Sequence, residues 1–122
     1  MPLPGPGAEG AGVTFVNRFT LHDAAGGAEE FEKVFAETAE FLCRQPGFRH
    51  HTLLVPAGPP DGGGPHYVNV AVWDDEAAFR AALARPGFGA HAAALRALSS
   101  SEPALYRPRQ VRVAPTAQGG AR

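Results

Sequence analysis

The 122-residue chain lacks several features that define common classes of protein. Its single cysteine, Cys43, excludes an internal disulfide framework and a cysteine-based zinc site. Lys33 is its only lysine and the net charge is −1, so the sequence has no basic cluster of the kind that binds nucleic acid. No apolar run approaches the ~20 residues that a membrane-spanning helix needs. We therefore expect one small cytoplasmic domain with no nucleic-acid or membrane partner.

Sequence motifs that bind cofactors or metals are also missing. No glycine-rich turn joins a strand to a helix as in dinucleotide-binding proteins, and no P-loop lysine is present. The triple glycine at 62–64 precedes a strand and is typical of a hairpin loop. His50 and His51 are neighbours on a predicted strand, so they point to opposite faces and cannot easily share a metal ion. We expect no metal and no cofactor, with one of these histidines facing an internal pocket.

The spacing of apolar residues predicts an α+β fold. Strands are expected at 12–21, 48–55, 66–73 and 106–113, and helices at 28–45, from Asp74 or Asp75 to Arg85, and at 86–98. This order is the ferredoxin-like split βαβ arrangement, a four-stranded antiparallel sheet with its helices on one face. The Pro/Gly-rich start, 1–11, and the tail, 115–122, are expected to be disordered, which leaves a domain at 12–114.

The predicted third strand is apolar on both faces. Alternation places Val68, Val70 and Val72 on one face and Tyr67, Asn69, Ala71 and Trp73 on the other. Helices can cover only one face of the sheet, and an uncovered valine face is typical of a subunit interface. The pattern therefore predicts a homodimer whose two sheets pack face to face.

Four residues stand where the pattern calls for plain hydrophobes. Asn17 shares the apolar face of the first strand, Asn69 and Trp73 share a face of the third, and His91 lies on the apolar stripe of the last helix. Each could be structural, as an amide satisfied by the backbone, a core tryptophan or a satisfied helix histidine. Together they predict a catalytic pocket between sheet and helices. Its expected substrate-binding residues are Phe15, Phe35, His51, Tyr67, Phe88 and Leu95.

Three segments and one aromatic residue resemble the antibiotic biosynthesis monooxygenase family. They are VNRFTL at 16–21, QPGF at 45–48, YVNVAVW at 67–73, and Phe79. The resemblance covers about residues 12–113. It implies the dimeric α+β barrel, in agreement with the order of predicted elements.

Within this family, the sequence resembles the cofactor-independent oxygenases of the anthrone oxygenase type, which have an asparagine and a tryptophan four residues apart, like Asn69 and Trp73. The resemblance implies that the substrate, an aromatic or polyketide-like metabolite, is deprotonated and that its anion reduces dioxygen. Asn17 and Asn69 would position oxygen substituents, Trp73 would stack on the ring, and His91 or a histidine of the second strand would act as base. The pocket histidine of those oxygenases lies further along the second strand than His50 or His51.

Two alternatives remain open at this point. Haem-degrading monooxygenases of the same fold have residues that match Asn17, Trp73 and His91, and this match would make His91 a haem ligand. Arg18, Arg85 and Arg96 are the candidate partners for the haem propionates. Other members of the superfamily are non-oxidative polyketide cyclases or ligand-binding dimers. We favour the cofactor-free monooxygenase.

Overall fold

A computed structural model describes residues 12–59 and 63–116 of the chain. The elements are β1 (Val13–Leu21), α1 (Ala28–Cys43), β2 (Phe48–Leu54), β3 (Tyr67–Trp73), α2 (Glu76–Leu83), α3 (Phe88–Leu98) and β4 (Ser99–Tyr106). The predicted tails lie outside the described residues, except for 115–116, which belong to no helix or strand. The order of elements confirms the α+β prediction.

The four strands form one antiparallel sheet in the order β2-β3-β1-β4. The register of β1 and β3 places Asn17 directly opposite Asn69. Opposed residues of an antiparallel pair share a face, so both carboxamides point toward the same side of the sheet. This is also the side of Phe19 and Tyr67, which pack against the buried Phe31 of α1.

Strand β2 contains an irregularity that determines which of its side chains face the helices. Phe48 is opposite Trp73, whereas His50 is opposite Val72. One extra residue, Arg49, therefore separates two successive pairs, as in a β-bulge. His51 is opposite Ala71 and shares the helix-covered face, and His50 lies on the other face.

A capping side chain and two glycines with positive φ determine where the helices begin and end. The Asp75 side chain caps α2 by accepting a hydrogen bond from the Ala78 backbone N–H at 2.8 Å. Gly87, with φ of 98°, precedes α3 in a left-handed conformation that glycine adopts without steric cost. Gly47, with φ of 87°, joins α1 to β2 and lies against Ala78.

The core consists of two clusters of buried residues rather than one. One is centred on Trp73 and Phe79, and the other on Phe31, Phe35 and Tyr67. Along β1 and β3, the two asparagines lie between residues that belong to different clusters. The polar positions thus coincide with the gap in the apolar core.

The predicted fourth strand was misplaced. The structure has β4 at Ser99–Tyr106, and 107–113 form no helix or strand. The chain leaves α3 directly into pairing with β1, from Ser99 opposite Leu21 to Tyr106 opposite Thr14. Pro103 is tolerated because β4 is an edge strand.

The centre of the sheet face without the asparagines is also apolar. It carries Val16, Val68, Val70 and Val72, which are half-buried and belong to neither core cluster. Over the described ranges, no helix is long and apolar enough to cross a membrane.

Candidate active site

A cavity of about 420 Å³ lies between the two core clusters. This volume is within the range of small-molecule sites. Its walls are mainly aromatic and aliphatic, and the polar residues on them are Asn17, Thr38, His51, Asn69 and Arg80. The cavity can therefore bind a largely apolar ring system and form hydrogen bonds to it at a few defined positions.

Three of these polar residues form a row across three adjacent strands. Asn17 of β1 is opposite Asn69 of β3, and His51 of β2, which is opposite Ala71, reaches Asn69 diagonally, with its Nδ1 3.1 Å from Asn69 Oδ1. A carboxamide oxygen can only accept, so the hydrogen bond places a proton on His51 Nδ1. In the neutral imidazole this leaves a lone pair on Nε2. It also orients Asn69 so that its Nδ2 donors are available for a ligand.

Asn17 offers a ligand a hydrogen-bond acceptor, whereas Asn69 offers donors. Its Oδ1 is buried and accepts no hydrogen bond from any described residue. An unsatisfied buried acceptor costs about 1–3 kcal/mol, which a ligand hydroxyl could recover by donating to it. The paired asparagines therefore suit a ligand that carries one donor and one acceptor.

Trp73 is 1% exposed, yet it lines the cavity. Its indole is held edge-on against Phe48 and Phe79, with ring centroids 5.2 Å and 5.9 Å away. Its indole N–H can only donate a hydrogen bond. Trp73 thus combines a fixed ring with a donor that a ligand can use.

Eight of the ten predicted site residues line the cavity. They are Asn17, Asn69 and Trp73 of the predicted catalytic set, and Phe15, Phe35, His51, Phe88 and Leu95 of the predicted substrate-binding set. Tyr67 and His91 do not line it.

Tyr67 shares the cavity-facing side of β3 but is covered by α1. Its ring stacks on Phe31 with centroids 4.6 Å apart, and its hydroxyl donates to Glu32 Oε2 at 2.6 Å. Burial, followed by this hydrogen bond and the charge of Glu32, raises the pKa of Tyr67 to about 12. The phenol of Tyr67 is thus engaged in the core and outside the cavity lining, and its role in substrate binding stays a prediction.

His91 lies between helices and not in the cavity. Its ring contacts Phe41 of α1, with centroids 5.2 Å apart. The apolar stripe of α3 faces two neighbours, the sheet through Leu95 and α1 through His91. His91 therefore lies outside the cavity lining, and its catalytic role stays a prediction. The described residues contain no cluster of three or more His, Cys, Asp or Glu side chains that could hold a metal ion.

Sequence reasoning missed Arg80, the one lining residue with a permanent charge. The position of Arg80 along α2 could have indicated that it lines the cavity. Phe79 and Leu83 mark the inward stripe of α2, and Arg80 adjoins Phe79 and precedes Leu83 by three residues, which are neighbouring positions on a helix surface.

Comparison with known proteins adds the family. The model of the family described as antibiotic biosynthesis monooxygenase matches residues 13–94. The chain belongs to this family. Deoxynogalonate monooxygenase of Streptomyces nogalater is 57% identical to it over 104 residues, which are 85% of this chain and 82% of that protein.

Solved structures agree with this assignment. SnoaB, a cofactor-independent oxygenase from Streptomyces nogalater, is 58% identical, with a TM-score of 0.70 over 81% of this chain and 94% of that one. A putative monooxygenase from Shewanella loihica PV-4 is 27% identical, with a TM-score of 0.63 over 81% and 95%. These relatives confirm three predictions: the family, the ferredoxin-like fold and a monooxygenase that needs no cofactor.

Proposed function

We propose that this family member oxidises an electron-rich aromatic polyketide with dioxygen inside the cavity, and that the substrate itself supplies the electrons. The observation that carries this proposal is the row formed by Asn17, Asn69 and His51 within otherwise apolar walls. The relative named for deoxynogalonate supports the same substrate class.

The proposed reaction converts an activated methylene group into a carbonyl. The methylene carbon loses a proton, and the resulting carbanion, delocalised as an enolate, transfers one electron to dioxygen. The two radicals combine into a peroxide, which takes up a proton and loses water to leave the carbonyl. The substrate is oxidised by four electrons, one oxygen atom enters the product, and the other leaves as water.

The protein contributes a base and a stabilised anion. His51 Nε2 accepts the substrate proton, and the hydrogen bond from Nδ1–H to Asn69 holds the ring in the tautomer that leaves this nitrogen free. Asn69 Nδ2 donates to the enolate oxygen, where negative charge develops. Asn17 Oδ1 accepts from a hydroxyl elsewhere on the ring system, which fixes the orientation of the substrate. The aromatic walls exclude bulk water and strengthen these interactions.

Dioxygen uptake with anthrone tests the proposal, because anthrone has one activated methylene group and gives anthraquinone. His51→Gln should lower the enzymatic rate about 100-fold, since it removes a positioned base. His50→Gln is the matched control, because His50 lies on the other face of the same strand.

Two outcomes would contradict this assignment. Equal rates in His51→Gln and the wild type would exclude His51 as the base. A wild type that binds anthraquinone but consumes dioxygen no faster than buffer would instead favour the non-oxidative ligand-binding alternative.

We also propose that the protein acts as a cytoplasmic homodimer, paired through the valine face of Val16, Val68, Val70 and Val72. These side chains are apolar and form a continuous patch in the middle of the sheet. An aspartate at Val70 would bury an unpaired charge in such an interface and should yield a monomer by light scattering. A Val70→Asp protein that stays dimeric would exclude this face.

A further inference from the structure

We propose that Arg80 is a specificity-determining residue that binds a carboxylate of the substrate at the rim of the cavity. This inference rests on the proposed function of the cavity. Arg80 lines the cavity, and its side chain is 61% exposed, so it reaches both the ligand space and solvent.

The local charge at Arg80 favours an anion. Both Nε and one terminal nitrogen of Arg80 lie within 3.2 Å of a single oxygen, Glu76 Oε2. The other oxygen, Glu76 Oε1, accepts from Arg107 at 3.3 Å. Two guanidinium groups share one carboxylate, which leaves one positive charge uncompensated within this ion network.

The Arg80 guanidinium also lies next to the aromatic wall of the cavity. The guanidinium carbon of Arg80 lies 5.6 Å from the centre of the Phe79 ring, which itself contacts Phe15 and Trp73. A planar ligand packed along this wall would bring a ring substituent toward Arg80.

Arginine suits this role because its planar guanidinium group has five N–H donors and forms bidentate hydrogen bonds with carboxylates. Glu76 positions the guanidinium group of Arg80 and accepts from only some of its N–H groups. The Arg80–Glu76 pair is partly exposed to solvent. A substrate carboxylate could therefore remain partly hydrated at the rim while the ring system of the substrate enters the cavity. A buried carboxylate would lose most of that hydration.

The test uses two probes that cannot be oxidised at a methylene group: anthraquinone-2-carboxylate and the neutral anthraquinone-2-carboxamide. Trp73 is the only tryptophan and lines the cavity, so quenching of its fluorescence reports binding of either probe. The wild type should prefer the carboxylate about fivefold at low salt, and salt should reduce this preference. Arg80→Gln should abolish the preference, because it weakens carboxylate binding much more than carboxamide binding.

Arg44→Gln is the matched control. Arg44 pairs with Glu40 through the same two kinds of nitrogen and the same four-residue spacing, but at the C-terminal cap of α1 and outside the cavity lining. This variant should keep the wild-type preference.

The outcomes separate the two proposals. An Arg80→Gln protein that still prefers the carboxylate, or a wild type that binds both probes equally, would overturn the role of Arg80 and leave the aromatic cavity intact. A wild type in which neither probe quenches Trp73 would contradict the proposed cavity function itself, and the role of Arg80 with it.

Discussion

Tyr67 should make the stability of this protein fall in alkaline solution. Its side chain is buried, and its hydroxyl donates to Glu32 at 2.6 Å. Burial, then the hydrogen bond and the charge of Glu32, raise its pKa from 10.0 to about 12. Between these two values the folded state keeps the phenolic proton while the unfolded chain has lost it. Stability is therefore unaffected below pH 10 and decreases as pH rises through this interval.

The interval corresponds to about 3 kcal/mol of unfolding free energy, at about 1.4 kcal/mol for each pH unit. Tyr67→Phe removes the titrating group, so this part of the alkaline loss should disappear. At pH 7 the same variant should lose about 1 kcal/mol, because Glu32 is exposed and regains water when its partner is removed.

Urea unfolding curves at pH 7 to 12 measure both effects. Tyr106→Phe is the control, because Tyr106 is 49% exposed and is the only other tyrosine. All other alkaline titrations are shared by the wild type and both variants. A Tyr67→Phe protein that loses as much stability as the wild type between pH 10 and 12 would refute this role of Tyr67.

Three further variants test other parts of the structure. Trp73→Phe should lower turnover at least ~10-fold while reducing stability by about 1–2 kcal/mol, and parallel losses in rate and melting temperature would make Trp73 a core residue only. Gly47→Ala should cost at least ~2 kcal/mol in chemical denaturation, because φ is positive and the added methyl group would meet Ala78, so a neutral effect would contradict this backbone geometry. Asp75→Ala should cost about 1 kcal/mol through loss of the α2 cap, and an unchanged unfolding free energy would show that the cap is not stabilising.

The faces of β1 and β3 were predictable from sequence because alternation alone determines them. The partners of Asn17 were not, since a shift of two residues along β3 would keep every side chain on its face and change its neighbour. The meeting of Asn17 and Asn69 required the register of the folded sheet.

His51 was predicted as a pocket residue and lines the cavity, although alternation alone could not have chosen it over His50. Simple alternation would place His50 on the side of Phe48, whereas the bulge at Arg49 places His51 there. Nothing in the sequence marks the bulge, because Arg49 is an ordinary strand residue.

The place of strand β4 and the surroundings of His91 were not predictable from sequence, because tertiary contacts determine both. The alternating residues at 106–113 are typical of a strand, but β1 already pairs with Ser99–Tyr106. His91 follows the apolar phase of α3, yet that stripe is wide enough to face both α1 and the sheet.

The bulge in β2 also determines how this site tolerates insertions and deletions. Removing one residue from a regular strand turns every following side chain to the opposite face. Removing Arg49 would leave Phe48 and His51 two positions apart, which is the spacing of same-face residues in an uninterrupted strand. Arg49 is thus a position where relatives could lose a residue and still present the same histidine to their substrate, at the cost of its 2.7 Å ion pair with Asp74.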